Sequence, residues 1–136
     1  MVAIDILYEG NLRCRATHGP SGAVIATDAP KDNQGKGEAF SPTDLVATAA
    51  ATCMTTIMGI VAKRDGLHLE GASVRVEKEM SAQPPRRIAR LVMIFTMPAG
   101  IPLAARAKLE QAAHFCPVAL SLHPDSKIEA TFTYPD

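Results

Sequence analysis

Apolar and polar residues follow two different periods along the chain. One is the two-residue alternation of a strand with one buried face, and it is clearest where Leu12, Cys14 and Ala16 alternate with polar residues. Strands or β-rich runs of this kind are predicted at 2–8, 12–17, 23–27, 73–80 and 87–97, and from Ile128 to Tyr134. Because a short Pro-Pro turn joins 73–80 to 87–97, we expect these two strands to form a hairpin.

The other period is helical. The segment 41–44, Ser-Pro-Thr-Asp, has the sequence of a helix start, with Ser at the N-cap and Pro at the first helical position. We expect this helix to continue to Arg64, because basic residues suit a helix C-terminus, and Gly66 can cap it. A second helix is predicted over 103–114, and Pro117 either interrupts it or begins a short third helix.

The order of these elements, β-β-β-α-β-β-α-(α)-β, indicates the fold class. Strands that pair as hairpins around few helices are typical of an α+β domain with antiparallel sheets, not of a parallel βαβ fold. The length of 136 residues suggests one domain, 1–136. The polar, Gly-containing segment 28–40 is predicted to be a surface loop, and its length is unusual enough in a compact domain to suggest a function.

The segment 45–62 is uncharged and just meets the length required of a membrane-spanning helix. Its residues are largely Ala and Thr, however, with few large apolar side chains. A helix that is apolar on nearly all sides is typical of the interior of a fold. We therefore expect a buried central helix and no association with a membrane.

Charge and composition exclude several classes of partner. Fourteen basic residues balance fourteen acidic ones, so the chain has no positive surplus for nucleic acid or an anionic membrane surface. The absence of Trp and an aromatic content of 4% argue against a platform for stacked bases. The N-terminus has Asp5 where a secretory signal would be basic, which predicts a cytoplasmic protein. In that compartment a disulfide is expected to be transient and catalytic.

Three cysteines supply the candidate chemistry. Cys14, Cys53 and Cys116 are too few for a disulfide scaffold, and their spacing matches neither a CxxC motif nor a zinc site, so no metal is expected. A free Cys is most often a small buried hydrophobe, and we expect this for Cys14. If Pro117 begins a short helix, Cys116 stands at its N-terminus, where the helix dipole favours a thiolate.

No helix N-terminus favours a thiolate at Cys53, because the amide hydrogens in the middle of a helix already form hydrogen bonds. It would need a cation from elsewhere, and Arg13 and Arg15 project from one face of the predicted strand 12–17. His114, two residues before Cys116, could polarise its thiol, but we expect a partly buried histidine without that role.

Two longer motifs resemble a known family. The run from Ser41 to Cys53, Ser-Pro-Thr-Asp-Leu followed by an Ala-rich stretch and Cys, resembles the first cysteine helix of the OsmC/Ohr proteins. The run 114–122, His-Phe-Cys-Pro-Val-Ala-Leu-Ser-Leu, resembles the family's second cysteine motif. With the segment 21–28 and the order of elements, the resemblance covers nearly the whole chain. The pattern is closest to the OsmC-like branch of these osmotically inducible and organic hydroperoxide resistance proteins.

The resemblance implies a fold and an activity. The fold is α+β, with antiparallel sheets around two central Cys-bearing helices, in an intertwined homodimer with active sites at the subunit interface. The activity is that of a stress-response thiol peroxidase without metal, haem or flavin. By this resemblance Cys53 attacks an organic hydroperoxide and becomes a sulfenic acid, Cys116 condenses with it to a disulfide, and an external dithiol restores both thiols.

The resemblance also implies an Arg that activates the first cysteine and an acid that holds this Arg. In the best-studied branches the acid is a Glu ten residues before that cysteine, a position that Thr43 occupies here. The nearby acids are Asp44 and Glu38, and both Arg13 and Arg15 fall near the expected place of the Arg. The sequence does not decide between these acids or between these arginines. It also leaves open a second function, in which an OsmC-like domain senses oxidants or binds a small ligand without turnover.

Two further expectations concern residues without a catalytic role. Met54, Met58, Met93 and Met97 are predicted to fill the core. The basic segment 86–90 is predicted to be a solvated face, offset by Glu77 and Glu79 of the preceding strand.

Overall fold

The computed structural model describes residues 1–135, and they form two compact units, Met1–Val46 and the chain from Ala47 onward. The elements follow the predicted order: β1 (Ile4–Gly10), β2 (Arg13–His18), β3 (Val24–Asp28), a 3₁₀ turn (Lys31–Asn33), α1 (Pro42–Arg64), β4 (Ser73–Met80), β5 (Ile88–Thr96), α2 (Leu103–His114), α3 (Pro117–Ser121) and β6 (Lys127–Thr133). The prediction of a single domain stays a prediction.

The first unit is an antiparallel sheet with the order β1-β2-β3. Strand β1 lies two residues later than predicted, because its partner β2 sets where it ends, and the left-handed residues Asn11 and Leu12 make the turn between them. Among the described residues of this unit, those that are buried are all polar: Thr27, Asp28 and Ser41.

Large apolar side chains of the same unit are exposed instead. Seven of them on or beside its strands are 46–62% exposed: Ile4, Ile6, Leu7, Tyr8, Leu12, Val24 and Ile25. A sheet with this much uncovered apolar surface is unusual for a protein that remains a monomer.

Helix α1 begins and ends where the sequence predicts. The backbone N–H of Ser41 donates to Asp44 Oδ2 at 2.9 Å, and the N–H of Asp44 donates to Ser41 Oγ at 3.1 Å. These two reciprocal bonds form a capping box, which satisfies donors that the first turn leaves open. Arg64 is the last helical residue, and Gly66 follows with a φ of 72°.

The burial of α1 differs from the expectation. Only one stripe of the helix is buried within the chain: Ala47, Ala50, Ala51, Met54, Met58, Val61 and Ala62. Ile60 is 56% exposed. Among the described residues α1 is also the one helix long and apolar enough to cross a membrane by length and composition, a test that the core helix of a soluble protein passes as well.

The second unit carries a three-stranded sheet with the order β4-β5-β6. The predicted hairpin is confirmed, since β4 and β5 pair antiparallel from Ser73–Thr96 onward. The expectation of antiparallel sheets is wrong for the last pair, because β6 runs parallel to β5. A parallel pair needs a long crossover, and α2 and α3 supply it. The α+β class is confirmed, with one antiparallel and one mixed sheet.

The apolar core lies in this second unit. Every second residue of β5 is completely buried at Leu91, Met93 and Phe95, and Leu109 of α2 is buried with them. The four methionines predicted to fill the core are at most 2% exposed, which confirms that prediction.

The basic segment 86–90 is offset by acids as predicted, although not by both of those expected. The Arg90 guanidinium lies between two strands, donating to Glu79 at 3.0 Å and to Glu129 at 2.9 Å. Glu77 instead accepts from Arg75 of its own strand. The hydrogen bond from Arg90 holds the pKa of Glu79 below its usual range.

Candidate cysteine site

Cys116 stands between two helices in the second unit. Helix α2 ends at His114, and Pro117 begins α3. Of the two alternatives for Pro117, the structure therefore shows the short third helix, and Cys116 is its N-cap. The Cys116 side chain is completely buried. Its Sγ accepts a hydrogen bond from the backbone N–H of Ala119 at 3.2 Å.

Cys53 lies in the middle of α1 and is only partly buried. Its thiol lies close enough to the Cys116 thiol to raise the pKa of Cys116, although 63 residues separate the two in the sequence. All three cysteines are free thiols. The fold therefore brings together the two cysteines singled out by sequence. Cys53 is partly exposed to solvent, and Cys116 is buried.

The electrostatics of Cys116 differ from the sequence-based expectation. Burial raises the pKa of the Cys116 thiol above its ordinary value, and the neighbouring Cys53 thiol raises it further. The backbone N–H groups of Ala119 and Val118 lower the pKa, but not enough to reverse the direction. The expectation that the N-cap position would favour a thiolate was wrong, because burial and the second thiol together disfavour the charged form more than the N–H groups favour it.

This pair can carry out two-electron thiol chemistry. A small oxidant reaches a partly exposed thiol more readily than a buried one, so Cys53 is the sulfur placed to react first. Cys116 is then the nearest nucleophile, and a disulfide needs the sulfurs to close to about 2.05 Å.

Arg13 belongs to the first unit, where it is held by acids. Its side chain is 34% exposed, and Nη1 donates to Glu38 Oε2 at 3.1 Å. In the β2–β3 ladder Arg13 faces Asp28, which is 1% exposed and accepts the backbone N–H of Glu38 at 3.1 Å. That hydrogen bond, helped by the Arg13 charge, lowers the pKa of Asp28 despite its burial.

The other two candidates in the first unit have different surroundings. Arg15 is exposed, and its Nε lies 3.8 Å from Glu9 Oε2. Asp44 uses its carboxylate in the capping box of α1. The structure thus pairs Arg13 with Glu38, an acid of the predicted functional loop, and gives Asp44 a helix-capping contact.

The remaining candidates fall outside the cysteine pair. His114 is exposed, contrary to the expectation of partial burial, and its ring lies edge-on to Phe132 with centroids 6.5 Å apart. Cys14 is half-buried on β2, opposite Tyr8 and Thr27. Within residues 1–135, no three His, Cys, Asp or Glu side chains are grouped so that they could hold a metal ion.

Sequence reasoning overlooked two groups with a role in these arrangements. The sequence predicts Asp28 only as the first residue of the loop 28–40. Antiparallel pairing of the predicted strands 12–17 and 23–27 in the observed register places it opposite Arg13. The Ala119 N–H carried no signal of its own, because a backbone donor has no sequence signature.

Comparison with known proteins identifies relatives of this chain. Residues 35–131 match the family model of the OsmC-like protein, a range that includes both cysteines of the pair and begins after β3. None of the curated proteins compared with the chain matches it significantly.

Solved structures match over almost the whole chain. A Psychrobacter arcticus protein, whose name assigns it provisionally to osmotic stress induction and the detoxification response, is 42% identical, with a TM-score of 0.89 over 98% of this chain and 96% of that one. An organic hydroperoxide resistance protein OsmC of Legionella pneumophila is 18% identical, with a TM-score of 0.74 over the same shares. The organic hydroperoxide resistance protein OhrB of Bacillus subtilis is 14% identical, with a TM-score of 0.72 over 98% of each chain. The last two show the fold alone.

Proposed function

Since the chain belongs to the OsmC-like family, we propose that it is a thiol-dependent peroxidase that reduces organic hydroperoxides. The observation that carries this proposal is the proximity of the partly exposed Cys53 to the buried Cys116. A peroxidase of this type needs one accessible nucleophile and one protected thiol beside it. Two relatives of the same fold are named for organic hydroperoxide resistance, which supports the choice of substrate class.

In the proposed cycle the Cys53 thiolate attacks one oxygen of the hydroperoxide. An S–O bond forms, the O–O bond breaks, and the other oxygen leaves with a proton as an alcohol. The Cys116 sulfur, as it loses its proton, then attacks the Cys53 sulfenic acid, forming the disulfide and releasing water. An external dithiol reduces the disulfide and is itself oxidised. The cycle needs no metal or organic cofactor.

We assign the activating cation to Arg13 in preference to Arg15. The Glu38 carboxylate fixes the Arg13 guanidinium, and the buried Asp28 in turn binds the backbone of Glu38. Arg15 is exposed and makes only a longer contact at 3.8 Å. A fixed guanidinium keeps its direction, whereas an exposed one samples many rotamers. Glu38 then takes the place of the acid that the family pattern has ten residues before the cysteine.

We also propose that the protein is a cytoplasmic homodimer. The exposed apolar side chains on or beside β1–β3 leave more uncovered apolar surface on the first unit than a monomer usually tolerates. Membership of the OsmC-like family implies that the partner covering this surface is a second copy of the chain.

Peroxide consumption in the presence of dithiothreitol tests the function directly. The wild type should consume many equivalents of cumene hydroperoxide per chain, and faster than hydrogen peroxide. A Cys14→Ser variant serves as the matched control and should retain this turnover, whereas Cys53→Ser should have none. Consumption that stops after one equivalent in the wild type, with the disulfide still reducible, would contradict an enzyme and favour a sensor.

A further inference from the structure

We propose that the external dithiol attacks the Cys53 sulfur of the disulfide, and that the backbone N–H of Ala119 is a catalytic group that stabilises Cys116 as it leaves. This inference rests on the proposed function and concerns its reductive half, for which the two sulfurs offer two different points of attack. Attack on Cys53 leaves the reductant bound to α1, and attack on Cys116 would leave it bound at the start of α3.

Access favours attack on Cys53. The Cys116 side chain has no exposed surface, whereas Cys53 is partly exposed. Thiol–disulfide exchange needs the attacking sulfur, the attacked sulfur and the leaving sulfur in line. A reductant that enters from the exposed side reaches Cys53 first, with Cys116 behind it as the leaving group.

The hydrogen bonds of Cys116 favour the same direction. Its Sγ accepts the Ala119 N–H at 3.2 Å, and the Val118 N–H also favours its charged form. Exchange is faster when the leaving sulfur carries negative charge more easily. In this buried site the two backbone donors offset part of the cost of placing that charge away from water, although the pKa of Cys116 stays above its ordinary value. The Ala119 N–H is in position on the sulfur in the dithiol form.

The reductive step consists of two successive thiol–disulfide exchanges. The first thiolate of the dithiol forms an S–S bond with Cys53 Sγ, and the bond between Cys53 and Cys116 breaks with its electron pair on Cys116. Cys116 then takes up a proton. The second thiolate of the dithiol then attacks the reductant sulfur that is bonded to Cys53 in the mixed disulfide. This releases Cys53 as a thiolate and leaves the reductant as a cyclic disulfide.

A monothiol can arrest this exchange at the mixed disulfide. In a Cys14→Ser background, one equivalent of cumene hydroperoxide should remove two hydrogens of mass, which establishes the disulfide before any reductant is added. Brief exposure to N-acetylcysteine, acid quenching and alkylation with N-ethylmaleimide should give N-acetylcysteine on Cys53 and N-ethylmaleimide on Cys116. The reverse distribution would overturn the proposal, whereas failure to form the disulfide would count against the proposed function instead.

The Ala119 donor is tested by a matched pair of variants. Ala119→Pro removes the N–H at a first-turn position that tolerates proline, and Ala119→Gly removes the methyl group but keeps the N–H. Reduction of the disulfide by dithiothreitol should be about tenfold slower in Ala119→Pro than in Ala119→Gly. Oxidation by the first equivalent of peroxide should differ less, since Cys53 then reacts alone. Equal reduction rates would refute the role of this N–H, and adduct mapping decides the point of attack even if Ala119→Pro does not fold.

Discussion

The guanidinium of Arg13 and the carboxylate of Glu38 are joined by a hydrogen bond of 3.1 Å, although Arg13 lies on β2 and Glu38 near the end of the long loop that follows β3. The loop is closed at its base, where the N–H of Asp28 donates to the carbonyl of Phe40 at 3.1 Å. Asp28 also accepts the N–H of Glu38. A buried carboxylate, a loop acid and an arginine therefore form one connected arrangement.

This arrangement predicts that the two arginines of β2 are not equivalent. Arg13→Ala should slow the reaction of Cys53 with cumene hydroperoxide at pH 7 by about tenfold, because the proposed cation no longer supports the attacking thiolate. Arg15→Ala should change the rate by less than about twofold, because an exposed ion pair contributes little. Stopped-flow measurement of the first oxidation compares both variants with the wild type.

Arg13→Lys serves as the conservative control for this comparison. It keeps the charge but loses the planar donor set that matches a carboxylate, so partial recovery is expected. An Arg15→Ala variant that is slower than Arg13→Ala would assign the cation to Arg15 and leave the Glu38 contact as a structural one.

Asp28 predicts a dependence of stability on pH. Its pKa in the folded protein lies below the unfolded value of 3.8, so its contribution to stability is present above pH 3.8 and is lost as the pH falls through the folded pKa. Asp28→Asn should therefore have a lower thermal midpoint than the wild type at pH 7, and the difference should shrink below pH 4. Asp5→Asn, an exposed acid of β1, is the control and should show no such convergence.

Differential scanning calorimetry from pH 7 to pH 3 measures this difference. A gap between wild type and Asp28→Asn that stays constant over the whole range would show that the carboxylate charge of Asp28 does not stabilise the fold.

Local sequence signals were sufficient for the helices and for most strands. The ends of α1 follow from Ser41, Asp44 and the basic residue Arg64, because capping is determined by residues adjacent in sequence. The bounds of β4 and α2 were also predicted correctly. Each of these elements begins or ends at a proline, a charge or a change of period that acts within a few residues.

Features that depend on distant partners were not accessible in this way. The parallel pairing of β6 with β5 depends on how the chain returns through α2 and α3, and the alternation of β6 is the same for either direction. The meeting of Cys53 and Cys116 rested on family resemblance, not on spacing. The raised pKa of Cys116 depends on its burial and on the neighbouring Cys53 thiol, neither of which follows from the N-cap position that the sequence shows.

The exposed apolar sheet of the first unit predicts the oligomeric state. Light scattering at low micromolar concentration should give twice the chain mass of 14.4 kDa. Ile6→Asp places a charge within the exposed apolar surface and should weaken the dimer or prevent folding. Lys31→Asp places the same side chain in an exposed polar loop and should leave the dimer intact.

A folded wild-type monomer at this concentration would contradict the proposed dimer. So would an Ile6→Asp variant whose mass and thermal midpoint match those of Lys31→Asp, because the apolar surface would then remain open to solvent.

The difference in burial between the two cysteines of the pair predicts distinct roles. Cys53→Ser should abolish reaction with hydroperoxide, because the remaining Cys116 thiol is buried and its pKa is raised. Cys116→Ser should still react once, leaving a Cys53 sulfenic acid that dimedone labels. At higher peroxide this variant should become overoxidised to the sulfinic acid, since no neighbouring thiol traps the intermediate.

Mass spectrometry of dimedone-treated variants distinguishes these outcomes. Cys14→Ser is the control for nonspecific labelling and should form the disulfide, with neither cysteine of the pair modified. Dimedone on Cys116 in the Cys53→Ser variant would reverse the two roles. It would also mean that a hydroperoxide reaches a sulfur with no exposed surface, so that access to this site requires opening of the second unit around the start of α3.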